Sequence, residues 1–293
     1  MLRPAWAPRP LPRAAAALAS VMLLGGLSIS RPAPGRQTQR AGEGMPLPKV
    51  EDVVRRIIER AKNAEVRRVT NSYAYSQRSV IEKLDEKGRT REHEDRIYEV
   101  VPLEGRSYAR LVKKNGQPLA GEDLRAEKER ERRFIERHTD QRLGASDEDR
   151  VPLDAELFNR YSGNISGREM IAGRPALILE FSPKSRDLPV RRRQDYVLNK
   201  LAGKAWVDEQ DYEVVKVEAH LMERVRVFLG LVATVDKVEL EFAQARIGEG
   251  IYLPQRVHFY IDGRKLFTTL HQRVVAEWSE YHPAGGNHSG AKN

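Results

Sequence analysis

The last third of the chain, from Lys200 to Tyr281, is a succession of short β-patterned runs separated by turn residues. Apolar and polar residues alternate with a period of two in Asp236–Phe242 and again in Val257–Asp262. Because successive side chains of a strand point to opposite faces, each of these strands has one apolar and one polar face. An antiparallel sheet made from such strands must cover its apolar face, and a helix, a second sheet or a bound lipid would each do so.

The N-terminus is typical of a secretion signal. Three arginines precede an apolar run from Ala14 to Ile29, and the small residues Ser28 and Ser30 suit a cleavage site. The run is shorter than the ~20 residues that span a bilayer. We therefore predict that residues 1–30 form a cleaved signal peptide, with an uncleaved membrane anchor as the alternative. A periplasmic or secreted protein follows from this prediction.

The composition limits the chemistry that the chain can perform. It contains no cysteine, which excludes disulfides, thiolate metal sites, a cysteine nucleophile and a lipid-modified N-terminal cysteine. The formal net charge is +9, and the predicted signal peptide contributes three of these positive charges. Export and the interleaved acidic residues argue against a nucleic-acid partner. A modestly basic surface suits anionic lipid headgroups, so contact with the periphery of a membrane is expected.

We predict a single domain over residues 49–282, because β-rich domains of this length are common. Residues 31–48, rich in Pro, Gly, Gln and Arg, are predicted to be a flexible leader, and residues 283–293 a disordered polar tail. Apolar residues recur at helical spacing from Val50 to Ala61, which predicts an amphipathic helix that docks on the sheet.

A charged insertion lies at residues 121–142. It has seven acidic and seven basic side chains, several of them one helical turn apart, which predicts a solvent-exposed helix. Either it is an ordinary solvated face, or it is a mobile arm that binds a partner.

The remaining patterns predict an α+β chain dominated by one broad antiparallel sheet, which tends to curl toward a barrel. A meander of three strands occupies the region from Val66 to Lys114, and two strands follow between Asn164 and Phe181. Asp262-Gly263 is predicted to close the last hairpin.

No motif for catalysis is present. The seven histidines form no HExxH pair, and Gly163-Asn164-Ile165-Ser166-Gly167 places its serine one position away from the G-x-S-x-G register. We therefore predict no catalytic residue, no metal site, no cofactor and no enzymatic activity. A hydrolase without a sequence signature is the less favoured alternative.

The order of several segments resembles the outer-membrane lipoprotein-sorting (LolA/LolB-like) superfamily over roughly Val50 to Tyr281. These segments are Gly203-Lys204-Ala205-Trp206-Val207-Asp208, then Val214-Val215-Lys216-Val217-Glu218-Ala219, then Tyr252-Leu253-Pro254-Gln255-Arg256, preceded by Gly173-Arg174-Pro175-Ala176. The resemblance implies a curved antiparallel sheet forming an unclosed β-barrel, with helices over the concave face. It also implies a hydrophobic cavity that shelters the acyl chains of a lipid or an acylated lipoprotein.

Two functions follow as expectations. The first is a periplasmic carrier of lipid or lipoprotein, and the second is an envelope signalling or scaffolding module of the RseB type that binds a partner protein. For the carrier, six residues are predicted to face the cavity or to belong to its lid: Val53, Ile57, Trp206, Leu240, Phe242 and Phe259. The alternative for these residues is an ordinary dry core.

Overall fold

The structure is a computed structural model and describes residues 46–63, 66, 69–139, 153–192, 194–227, 233–266 and 268–284. The predicted signal peptide, most of the leader and nearly all of the tail lie outside the described residues. So does the apolar run at residues 228–232.

Four helices are described: α1 (Val50–Lys62), α2 (Gly121–Thr139), α3 (Ala155–Phe158) and α4 (Asp195–Leu198). Twelve strands are described: β1 (Tyr73–Leu84), β2 (Thr90–Leu103), β3 (Arg106–Lys114), β4 (Gln117–Pro118), β5 (Tyr161–Ile171), β6 (Arg174–Pro183), β7 (Leu201–Asp208), β8 (Val214–Leu221), β9 (Val225–Val227), β10 (Ala233–Gly248), β11 (Ile251–Lys265) and β12 (Thr268–Pro283).

All twelve strands belong to one antiparallel sheet. The strand order is β4-β3-β2-β1-β12-β11-β10-β8-β7-β6-β5, and β9 pairs with the start of β10. Among the described residues β4 and β5 are the two ends of this order, so the sheet does not close on itself. The predicted fold class, an unclosed antiparallel barrel with a few helices, is confirmed.

Cross-strand register gives the sheet one continuous apolar face. On β6 and β7, Leu177 lies opposite Val207 and Leu179 lies opposite Ala205. On the central strands, Leu240 lies opposite Phe259. Alternation with a period of two keeps the apolar side chains of one strand on one face. Paired residues of neighbouring strands point to the same side, so the face continues from strand to strand.

Helix α2 packs beside β3, near one edge of the sheet. The Tyr108 hydroxyl donates to the Glu127 carboxylate at 2.9 Å, and the Tyr108 and Phe134 ring centroids are 4.8 Å apart. Arg130 also donates to the main-chain carbonyl oxygen of Ala109 in β3. A helix that occupies edge carbonyls protects an exposed strand from pairing with another chain. The predicted insertion is therefore helical over Gly121–Thr139 and contacts β3 through Glu127, Arg130 and Phe134.

Helix α4 was not predicted, and a buried carboxylate holds it in place. Asp195 is fully buried and accepts hydrogen bonds from the amides of Arg191 and Arg192 at 2.8 and 2.9 Å. The guanidinium of Arg160, at the start of β5, lies 3.3 Å from the same carboxylate. This contact ties the loop before α4 to the sheet.

One sequence prediction about the strands was wrong. Asp262-Gly263 is not a turn, because β11 continues through it to Lys265 and the connection to β12 follows there. Gly263 pairs with Val235 of β10, where a side chain would collide with the carbonyl oxygen of Thr234. The glycine therefore permits a close approach of two strands rather than a reversal of the chain.

The Asp195→Asn variant should lower the free energy of unfolding at neutral pH by about 3 kcal/mol, because it removes the buried one of the two carboxylates that pair with the buried Arg160 and leaves only the more exposed Glu156. Burial alone would raise the pKa of Asp195, but the hydrogen bonds from Arg192 and Arg191 outweigh it, and the pKa lies below its ordinary value of 3.8. The stabilisation is therefore complete above pH 3.8 and is lost as the pH falls through the lower folded pKa.

Urea unfolding of both proteins across this pH range measures the effect. The difference in the free energy of unfolding between the two proteins should become smaller in acid. A difference that stays constant from neutral pH down to pH 2 would contradict the role assigned to the Asp195 carboxylate. Glu180→Gln is the control, because Glu180 forms an exposed ion pair with Lys204 that should contribute less than about 1 kcal/mol.

Candidate functional site

The candidate site is the apolar face of the sheet beneath α1. Val53 and Ile57 of α1 are 1% and 2% exposed and point onto this face. Five buried side chains of β6, β7 and β8 receive them, and we call these five the α1 floor: Leu177, Leu179, Ala205, Val207 and Val214. The helical spacing of four residues places both α1 side chains on one stripe, as the sequence predicts.

The predicted residues of β10 and β11 lie on the same face of the sheet, farther from α1. Leu240 and Phe259 are buried in an adjoining cluster, and Phe242 packs against that cluster with part of its surface exposed. Phe181 and Val217 contact both this cluster and the α1 floor. Five of the six predicted residues therefore share one apolar surface that runs from α1 to β11.

Trp206 lies on the opposite face of the sheet, apart from the other five. Its indole nitrogen donates to the Glu169 carboxylate at 2.6 Å, and the ammonium of Lys216 lies 4.0 Å from the ring centroid. The ring packs with Val215 and Tyr252 in a separate cluster. Ala205 and Val207 on either side of Trp206 are also apolar and buried, so β7 has no alternation there from which the face of Trp206 could be predicted.

A polar contact that the sequence did not predict holds the C-terminal end of α1 against the connections that follow β7 and β10. The guanidinium of Arg60 donates to the carboxylate of Glu213 and, at 2.7 Å, to the carbonyl oxygen of Gly250. It also lies 5.4 Å from the centroid of the Tyr252 ring. The side chains of Arg60 and Glu213 are only 15% and 19% exposed, so water competes weakly for this pair. We call this contact the α1 latch.

The β7–β8 connection that presents Glu213 is itself held by charged residues. Arg174 contacts both carboxylate oxygens of Asp208, at 2.5 and 2.7 Å, and the Tyr252 hydroxyl donates to Asp211 at 2.6 Å. Burial raises the pKa of Asp208, whereas the hydrogen bond from Arg174 lowers it. The pKa of Asp208 is lowered overall. Burial also raises the pKa of Tyr252. These groups hydrogen-bond one another, which is typical of a structural anchor.

An open concavity of about 760 Å³ is lined by residues of β5 to β8 and β10. Glu180, Lys204, Glu218 and Glu241 contribute to its lining, and the Lys204 ammonium lies 2.9 Å from the Glu180 carboxylate. These residues alternate along their strands with those of the apolar face. Leu240, one of the predicted cavity residues, lines the same concavity with Phe181 and Ala219, so its lining contains both charged and apolar side chains.

The described residues contain no group of three His, Asp or Glu side chains arranged to hold a metal ion. Among the same residues, no helix is both long enough and apolar enough to cross a membrane.

No protein-family model matches the chain, and no curated protein matches it. Several solved structures are similar to it, and three of them follow. A putative outer membrane lipoprotein-sorting protein domain from Vibrio parahaemolyticus is 14% identical, with 81% of this chain and 94% of that chain covered and a TM-score of 0.38. A DUF1329 family protein from Desulfovibrio piger is 14% identical, with 82% and 95% covered and a TM-score of 0.33. A LolA superfamily protein from Nitrosomonas europaea is 12% identical, with 80% and 93% covered and a TM-score of 0.31. The fold assignment rests on the strand order of this chain.

Arg60→Ala should loosen α1 without unfolding the sheet. It removes the α1 latch and leaves the largely buried Glu213 carboxylate with the hydrogen bond from Gln244 but without a counter-ion, which should cost about 1–3 kcal/mol of docking free energy. Native-state hydrogen exchange should therefore speed up about tenfold or more for the amides of α1, while those of β7 and β8 stay protected.

Arg55→Ala is the matched control on the same helix. Arg55 forms exposed ion pairs with Asp52 and Glu59, so its removal should change exchange in α1 very little. Equal acceleration in both variants would show that the latch does not hold α1.

Proposed function

We propose that this protein is an exported carrier that binds the acyl chain of a lipid or a lipoprotein between α1 and the apolar face of the sheet. The observation that carries the proposal is the way α1 covers the α1 floor. Only Val53 and Ile57 of this helix are fully buried, and the helix precedes the sheet in the chain, so it is able to leave without breaking any strand pairing.

The energies are compatible with displacement of α1 by a lipid. Burial of Val53 and Ile57 contributes about 1.5–3 kcal/mol each, and each hydrogen bond of the α1 latch contributes about 0.5–1.5 kcal/mol. Burial of an acyl chain yields ~0.8 kcal/mol per methylene, so a chain of about 14 carbons gains on the order of 10 kcal/mol. A single acyl chain therefore offsets the loss of the α1 contacts.

In this proposal five residues line the binding surface or its lid: Val53, Ile57, Leu240, Phe242 and Phe259. Trp206 has no part in it, because it packs on the other face of the sheet. The carrier acts in the periplasm or outside the cell, after removal of residues 1–30. Burial of hydrocarbon suffices for this function, and the proposal includes neither a catalytic group nor a cofactor.

The proposal predicts that the protein takes up an acyl chain and that the α1 latch controls the rate. The chain as secreted by an expression host should release lipid or fatty acid on extraction with organic solvent, detected by mass spectrometry. After delipidation it should bind a fluorescent fatty-acid probe, and Arg60→Ala should bind the probe about tenfold faster, because α1 opens more often.

Arg55→Ala should bind the probe at the rate of the unchanged protein. Hydrogen exchange of α1 should accelerate in the probe-bound state, since the acyl chain replaces α1 on its floor. The carrier proposal fails if the folded protein and Arg60→Ala bind no probe, or if the probe binds while α1 remains as protected as before.

The second candidate is an envelope module that binds a partner protein, and the outward side of α2 favours it. Arg125 and Lys128 are exposed on this side, while Glu127 and Phe134 hold the other side of the helix against Tyr108. A docked helix with an exposed charged side is able to recognise a partner of complementary charge without rearrangement.

Reversing two of these charges tests this candidate. The double variant Arg125→Glu and Lys128→Glu should lose a partner recovered by affinity capture from the envelope, since like charges then face each other. Thermal unfolding should be unchanged, because neither side chain is buried. The double variant Lys83→Glu and Arg91→Glu on β1 and β2 is the control, and equal recovery with all three proteins would count against α2.

A further inference from the structure

The three most exposed large apolar side chains of the described residues lie at one end of the sheet. Met222 is 58% exposed, Leu266 is 54% exposed and Val190 is 45% exposed. Each lies in a connection: Met222 follows β8, Leu266 follows β11 and Val190 precedes α4. We call this end of the molecule the loop end, and it comprises residues 184–192, 199–200, 222–226 and 264–266.

Hydrogen bonds hold Met222 and Val190 on either side of the residues that follow α4. The amide of Met222 donates to the carbonyl oxygen of Lys200 at 2.9 Å. The side-chain amide of Asn199 donates to the carbonyl oxygen of Pro189 at 3.2 Å. Because Lys200 and Asn199 are adjacent in sequence, the two exposed apolar side chains belong to neighbouring loops.

Strand pairing brings Leu266 to the same end. Lys265, the last residue of β11, pairs with Ala233, the first residue of β10. Ala233 in turn pairs with Val227 of β9, and β9 contacts α4. The connection that carries Leu266 is therefore linked through β9 to the loops that carry Met222 and Val190.

The loop end is strongly basic. Its ranges contain nine Lys and Arg residues and two acidic residues, Asp187 and Glu223. Glu223 pairs with Lys200 at 2.5 Å. Seven of these basic residues are exposed, and two of the seven, Arg191 and Arg224, pair with Glu156 and Asp236. The other five surround the apolar side chains: Lys184, Arg186, Arg226, Arg264 and Lys265.

We propose that the loop end docks on an anionic lipid bilayer. Apolar side chains that project from separate loops among exposed basic residues match the layered chemistry of a bilayer surface, with phosphate groups outside and hydrocarbon beneath. A protein interface has a different composition, because lysine is depleted there and apolar side chains pack into one continuous core.

This surface deepens the proposed function, because a carrier of acyl chains exchanges its cargo at a membrane. Its evidence is nevertheless separate, since none of the loop-end residues belongs to the α1 floor or to the α1 latch. Vesicle binding and uptake of an acyl probe in solution therefore test the two proposals independently.

The experiment measures co-sedimentation of the secreted chain with vesicles of phosphatidylglycerol and phosphatidylethanolamine, after its N-terminus has been determined by mass spectrometry. The unchanged protein should bind these vesicles and should bind phosphatidylcholine vesicles at least tenfold more weakly. Binding should weaken as the salt concentration rises from about 0.1 M to about 0.5 M, because counter-ions screen the basic side chains.

Two double variants should each reduce binding about tenfold. Met222→Ser with Leu266→Ser removes the apolar side chains, and Arg264→Glu with Lys265→Glu reverses two charges. All four positions are exposed, so thermal unfolding should be unchanged. The matched control is Leu47→Ser with Met170→Ser, which alters two exposed apolar residues away from the loop end and should leave binding within twofold.

The proposal is overturned if no vesicle binding occurs, if neutral and anionic vesicles bind equally, or if the control variant loses as much binding as the loop-end variants. Capture of a protein by the loop end in place of vesicles would also overturn it. The loop-end variants should bind the fatty-acid probe normally in solution. Loss of probe binding with retained vesicle binding would refute the carrier alone, and the reverse result would refute the membrane surface alone.

Discussion

The fold depends on the need to remove from water the apolar face of an open sheet of twelve strands. Pairing in register makes this face continuous from Leu177 on β6 to Phe259 on β11, so it cannot be buried piece by piece. Helix α1 covers the part over the α1 floor. The rest is covered by α4 and by side chains of the sheet itself. Among the sheet side chains, the Tyr75 and Tyr281 rings are in contact, with their centroids 5.6 Å apart. Helix α1 precedes the first strand of the sheet, whereas α4 lies in the connection between β6 and β7.

Polar contacts determine the positions of α1 and α4 on the sheet. The α1 latch joins Arg60 to Glu213, and the bonds from Arg174 to Asp208 and from Tyr252 to Asp211 fix the β7–β8 connection next to Glu213. The buried Asp195 performs the same task for α4. Apolar burial supplies the larger part of the energy, but it has no direction, whereas these charged hydrogen bonds have defined geometry. The carrier function proposed above requires a cover that opens, and a helix held by few apolar contacts and one polar latch meets this requirement.

Much of the architecture followed from local patterns. The helix predicted from Val50 to Ala61 extends from Val50 to Lys62, and the alternating run in β10 is a strand with one apolar face. Two local signals misled. Asp262-Gly263 has the composition of a hairpin turn, yet Gly263 serves the close approach of β10. Trp206 was predicted to face the interior, but its strand is buried on both sides and the alternation that assigns a face is missing. Helix α4, with four residues, is too short to produce a periodic signal.

The sequence by itself determined the strands, the amphipathic helix, the charged helix and the absence of thiol chemistry, because each depends on residues close together along the chain. Only the tertiary structure decided the order of the strands, the face on which Trp206 lies, the partner of Arg60 and the meeting of Val190, Met222 and Leu266 at one end. These features depend on residues far apart in sequence, such as Arg60 and Glu213. Such pairs meet only after strand register and sheet curvature are established, and periodicity along the chain carries no information about either.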